Sequence, residues 1–89
     1  MSASTFGAYG ATTTETTILA FIEDHTKISW EPDTDLFASG SVTSLFALEL
    51  VVFLERTFGV AVTGEDLTLA NFRTVAAMTA LVDRLRERT

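Results

Sequence analysis

The sequence predicts an all-α fold, a small four-helix bundle of three main helices and one short one, on three observations. Apolar residues recur at helical intervals in three separate stretches. Those stretches carry helix start or stop signals, and none alternates apolar and polar residues for long enough to make a strand. Elements of this kind bury their apolar stripes against one another.

The first helix is expected over about Thr14 to His25 in TTTETTILAFIEDHT. Thr12 and Glu15 stand at capping-box spacing there, followed by Ile18, Leu19, Phe21 and Ile22. Upstream, MSASTFGAYGATT has neither a basic region nor an apolar run, so residues 1–12 read as a flexible leader and 13–88 as the single folded domain. The stretch KISWEPDTDLFASGSVT holds Pro32, Gly40 and many short polar residues. It is expected to form a long loop pinned to the core by Trp30, Leu36 and Phe37.

The second helix is expected over Ser44 to Phe58, SLFALELVVFLERTF, a run free of Gly and Pro that stops at Gly59, a residue suited to a left-handed C-terminal cap. A turn at Thr63 and Gly64 leads to a short helical piece around Glu65 to Leu69. The last helix begins at a Thr74 cap, aligns Val75, Met78, Val82 and Leu85 on one stripe, and ends with Arg84, Arg86 and Arg88 near its negative pole.

With 89 residues the chain has room for one domain, and 47% hydrophobic against 20% charged residues is enough to form a packed core. The net charge of −6 repels nucleic-acid phosphates and anionic membranes, and favours a protein partner with a basic patch. No segment has the roughly 20 apolar residues a membrane span needs. Cysteine is absent, which excludes disulfides, thiolate catalysis and zinc–cysteine sites, and fits a reducing cytoplasm.

Few side chains invite chemistry. His25 is the only histidine, so a serine-hydrolase reading would have to pair it with Ser44, and no glycine-bracketed nucleophile elbow is present. A histidine at a helix C-terminus interacting with the helix dipole is the preferred reading. Glu31, Asp33 and Asp35 alternate in the loop but lack the glycine and closing glutamate of a calcium-binding loop, so no metal site is expected.

The second helix is apolar on more than one face. Ala47, Leu50, Val51, Leu54 and Phe58 suit the core, whereas Leu45, Leu48 and Val52 lie on an adjacent face beside Glu49, Glu55 and Arg56. That second face is either buried too or a docking surface with an apolar centre and a charged rim. Ser44 stands where it begins. Ser44 is either the N-cap itself, the default for a serine at such a position, or, since Thr43 and Ser41 are also available for capping, a free hydroxyl at a helix start whose unpaired N–H groups favour an attached anion.

These residues resemble the acyl and peptidyl carrier proteins. The likeness runs through DTDLFASGSVTSLFALELVVFLERTFGV, with an acid and Leu36 in the loop, Gly40 four residues before Ser44, Leu45 directly after it, Glu49, and the Phe58-Gly59-Val60 ending. It continues through EDLTLANFRTVAAMTALV and covers about Thr13 to Arg88. The resemblance implies that Ser44 is the attachment site of 4′-phosphopantetheine, transferred from coenzyme A by a phosphopantetheinyl transferase, and that the arm's thiol carries an acyl or aminoacyl group as a thioester. It also implies a monomer that performs no catalysis, with Leu45, Leu48, Glu49, Val52, Glu55 and Arg56 read by acyl-loading and acyl-processing enzymes such as a synthase, transferase or dehydrogenase.

Three positions depart from the commonest pattern of that family. Thr43 stands where aspartate is usual, Phe46 where a fatty-acid carrier often has an acid, and Arg56 lies within the usual acidic rim. The helix is similar to those of stand-alone carriers from specialised polyketide and related pathways, including those that load glyceryl units toward methoxymalonyl extenders. A free-standing peptidyl carrier and an unmodified helical interaction module are the alternatives.

Overall fold

The computed structural model describes residues 10–88, with side chains from 13 to 87. Helix α1 spans Gly10–Thr26, α2 Ser44–Phe58, α3 Leu69–Phe72 and α4 Val75–Arg88, with a 3₁₀ turn at Gly64–Asp66. No strand occurs among the described residues, in agreement with the all-α bundle expected.

Helix α1 begins upstream of the predicted start, so Thr12 and Glu15 fall inside it rather than forming a capping box. A threonine tolerates the helix interior by bonding back along it, as Thr17 Oγ1 does in donating to the Thr13 carbonyl at 2.8 Å. Residues 1–9 of the expected leader lie outside the described residues. At the other end the chain leaves α1 through Lys27, whose φ of 62° is the left-handed conformation usually taken by glycine.

The long loop is anchored as expected. Trp30 and Leu36 are buried, and Phe37 packs against the core partly exposed. Trp30 Nε1 donates to Thr26 Oγ1 at 2.9 Å, and the Trp30 amide donates to Glu23 Oε2 at 3.0 Å. Two backbone bonds tie the loop to the α3–α4 junction, from the Leu36 amide to the Arg73 carbonyl at 2.8 Å and from the Ala76 amide to the Pro32 carbonyl at 3.0 Å. Asp35 turns the chain between them: its Oδ1 accepts from the Phe37 and Ala38 amides, and its Oδ2 lies 3.5 Å from Arg73 Nε.

Helix α2 occupies the predicted Ser44–Phe58 and stops at Gly59, which has φ 67° and donates its amide to the Glu55 carbonyl. The short helical piece resolves into two. Thr63 and Asp66 close a reciprocal cap around the 3₁₀ turn, after which extended Thr68 interrupts the path and caps α3 by accepting from the Asn71 amide. Thr74 caps α4, accepting from the Ala77 amide at 3.0 Å.

The core lies between α1, α2 and α4. Ile18 and Ile22 of α1, Leu50 and Leu54 of α2, and Met78, Leu81 and Val82 of α4 are fully buried. Phe46, placed on neither face of α2 by periodicity, is buried at 5% exposure and heads a series of rings along the α1–α2 boundary. Phe21 stacks between Phe46 and Phe53, with centroids 5.7 and 4.0 Å away. Rings at these separations attract beyond the area they bury.

Candidate functional site

The backbone that leads into α2 determines what Ser44 can do. Gly40, at φ 80°, reverses the loop, and Val42, only 2% exposed, drops into the core. Thr43 is then extended (φ −102°, ψ 169°), its carbonyl accepts from the Ala47 amide at 3.0 Å, and its Oγ1 accepts from the Phe46 amide at 3.2 Å. Thr43 is therefore the N-cap, and Ser44 is the first helical residue. Of the two residues proposed for capping, Ser41 instead donates its amide to Ser39 Oγ.

Ser44 is exposed, and among the described residues its hydroxyl has no hydrogen-bond partner. No acidic side chain stands in the first turn of α2 to repel an anion there. On one side the serine borders a groove of about 450 Å³ whose walls include Phe37, Ala47 and Val51 on one flank and Leu67, Leu69 and Phe72 on the other. The far wall is held by Asn71, whose Nδ2 donates to the Asp66 carbonyl at 2.9 Å and whose Oδ1 accepts from Arg84 Nη2 at 3.0 Å.

Leu48 lines this groove too and joins it to a second depression of about 440 Å³, lined by Leu45, Leu48, Glu49 and Val52 and completed by Phe21 of α1. Its leucines and valine are open to solvent, Leu45 at 72%, Leu48 at 60% and Val52 at 45%. The second face of α2 is thus uncovered rather than packed. Single exposed leucines are ordinary on a protein surface, but three along one helix face are a contiguous apolar patch.

Glu55 and Arg56 do not line this depression. Glu55 Oε2 accepts from the Val62 amide at 2.9 Å and so anchors the segment after α2, while Arg56 is exposed. Sequence reasoning missed Phe21, because helical spacing within one element carries no signal about which side chain of another element it meets. Phe46 had a signal: with Leu50 it makes an i, i+4 pair on the core side.

His25 stands in the last turn of α1, as the dipole reading expects. Its ring stacks on Phe46 with centroids 4.0 Å apart and planes 19° from parallel, and it makes no hydrogen bond to Ser44. Among the described residues, no side chain accepts a hydrogen bond from the Ser44 hydroxyl. Among the described residues no group of three His, Asp or Glu side chains is gathered to hold a metal ion, and no helix is long and apolar enough to cross a membrane.

A family described as the phosphopantetheine attachment site matches residues 16–82, which takes in all of α2 and α3 and most of α1 and α4. No curated protein matches the chain. Four serines, Ser29, Ser39, Ser41 and Ser44, fall within the matched residues, and Ser44 alone opens a helix. An exposed, unengaged hydroxyl beside an apolar groove fits a covalently attached arm, for which the chain need supply only an acceptor oxygen and room.

Proposed function

We propose that Ser44 is the residue that takes the arm in this chain, which belongs to the phosphopantetheine-attachment family and is a carrier with a covalent 4′-phosphopantetheine cofactor. The observation that carries the assignment is the free, exposed hydroxyl at the first position of α2, next to the groove. The cofactor supplies a flexible tether ending in a thiol on which an acyl group rides as a thioester. Tethering raises the effective concentration of that group at each partner enzyme without any chemistry by the carrier itself.

The chain's own contributions are three. Thr43 and Gly40 set the direction in which Ser44 faces solvent. The groove walls, which include Phe37, Val51, Leu67, Leu69 and Phe72, offer an apolar surface beside the attachment point where water is excluded from a short acyl chain. The uncovered face of Leu45, Leu48, Glu49 and Val52, extended by Phe21, is the surface read by the phosphopantetheinyl transferase and by acyl-loading and acyl-processing enzymes. Glu49 and the net charge of −6 favour basic partners there. Arg56 and Glu55 belong to the rim, Glu55 with a second duty in holding Val62.

We place this carrier in the cytoplasm, as a monomer serving polyketide or other specialised-metabolite biosynthesis. Phe46 supports a setting outside housekeeping fatty-acid synthesis: it is buried against His25 and Phe21, so the position is used for packing. Glyceryl or methoxymalonyl-type extender units are the cargo proposed. The test is the intact mass of the protein purified from its native host. A small polar acyl group on the arm is expected; an aminoacyl group would replace this reading with that of a peptidyl carrier.

A further inference from the structure

Thr43 is the one residue whose side chain caps α2, and its neighbour is itself a strong capping residue. Serine ranks with asparagine and aspartate at the N-cap, ahead of threonine and far ahead of alanine or valine. Two registers therefore compete for the start of this helix. In the observed one, Thr43 is extended and accepts from the Phe46 amide at 3.2 Å, and Ser44 is helical with its hydroxyl unengaged. In the other, Ser44 becomes extended, its oxygen turns inward to accept from an amide of the first turn, and α2 starts one residue later. Val42, buried at 2% exposure, pins the chain just before the cap, so the change is confined to Thr43 and Ser44.

We infer that Thr43 is a positioning residue for modification of Ser44: by taking the cap it keeps the serine hydroxyl out of the helix terminus and available for transfer. This rests on Ser44 being the attachment residue. In the transfer, a bond forms from Ser44 Oγ to the phosphorus on the pantetheine side of the coenzyme A pyrophosphate, and the P–O bond to 3′,5′-ADP breaks. The hydroxyl proton passes to a base of the transferase. An oxygen already accepting a helix N–H is both turned from solvent and a weaker nucleophile, so only the register capped by Thr43 is competent.

The test compares the wild-type chain with Thr43→Val, which keeps the shape and loses the oxygen, and Thr43→Ser, which keeps the oxygen. Modification by a phosphopantetheinyl transferase with coenzyme A is followed by intact mass over a range of carrier concentrations, with circular dichroism confirming that each variant is folded. Thr43→Val is expected to raise the KM for the carrier on the order of fivefold with kcat unchanged, because only the competent fraction is bound. In the unmodified variant, the Ser44 ¹³Cα shift should move from helical toward extended values and the Phe46 amide should exchange faster. Thr43→Ser should restore all three. Equal KM for wild type and Thr43→Val, a Ser44 shift that stays helical in Thr43→Val, or failure of Thr43→Ser to restore them would overturn the inference. A wild-type chain that gains no arm would instead remove the Ser44 assignment, and the Ser44 and Phe46 signals would still decide which residue caps the helix.

Discussion

Leu48 and Leu50 lie two residues apart on α2, and their substitution by alanine should separate docking from folding. Leu50 is fully buried between the helices, whereas 60% of Leu48 is open to solvent. Truncating a buried leucine costs about 2–5 kcal/mol, from lost transfer energy plus the cavity left behind. A chain of 89 residues has a total stability of about 4–13 kcal/mol. At about 4–8 °C per kcal/mol for a domain of this size, Leu50→Ala should lower the melting temperature by at least about 8 °C. Leu48→Ala removes atoms that touch little in the free protein, so its melting temperature should stay within about 4 °C of wild type.

The functional consequences run the other way. Fully burying a leucine is worth about 1.5–3 kcal/mol, so the 60% of Leu48 still exposed leaves about 1–2 kcal/mol to be gained on docking. Leu48→Ala should therefore reduce kcat/KM about five- to thirtyfold for an enzyme that reads this face. The assay is transfer of the arm, and then of an acyl group, followed by intact mass well below the melting point. There Leu50→Ala should react like wild type. A Leu48→Ala protein that melts more than about 8 °C early, or that reacts at the wild-type rate with transferase and loading enzyme alike, would refute the claim that this face is an uncovered docking surface.

Other perturbations test the elements that present the site. Phe46→Ala should cost about 3–5 kcal/mol, since the ring is buried between His25 and Phe21, while Phe46→Leu should cost much less; denaturant titration separates them. Gly59→Ala should destabilise by about 1 kcal/mol although a Cβ there meets nothing within 4 Å, because φ 67° is costly for any residue with a side chain; a neutral result in thermal melts would count against the left-handed cap. Glu55→Ala should loosen the segment after α2 and speed exchange of the Val62 amide, which its carboxylate now holds at 2.9 Å. Unchanged exchange at Val62 would argue that this bond does not persist in solution.

The helices were legible where local signals were unambiguous. Helix α2 is bounded by an extended capping threonine and a left-handed glycine with nothing helix-breaking between, so its range follows from the chain itself. The start of α1 was not legible, since a run of threonines looks the same as a cap and as a helix whose hydroxyls bond back to carbonyls one turn earlier. The single short helix predicted became a 3₁₀ turn and a four-residue helix, because the carboxylate of Asp66 and the hydroxyl of Thr68 each close a separate cap.

Site residues divide in the same way. That Leu45, Leu48 and Val52 share a face apart from the core stripe follows from one helix's periodicity, whereas their exposure and the choice of Thr43 over Ser44 as the cap come from the structure. The part contributed by Phe21, the far wall of the groove from Leu67 to Phe72, and the bond from Val62 to Glu55 depend on how separate segments meet. Those contacts are tertiary, and spacing along one element does not contain them.

The central claim, that Ser44 carries the arm, is tested most directly by intact mass after incubation with coenzyme A and a promiscuous phosphopantetheinyl transferase. The wild-type protein should gain the mass of one phosphopantetheine and no more, and Ser44→Ala, folded to the same degree, should gain none. A Ser44→Ala protein that is still modified would contradict the account.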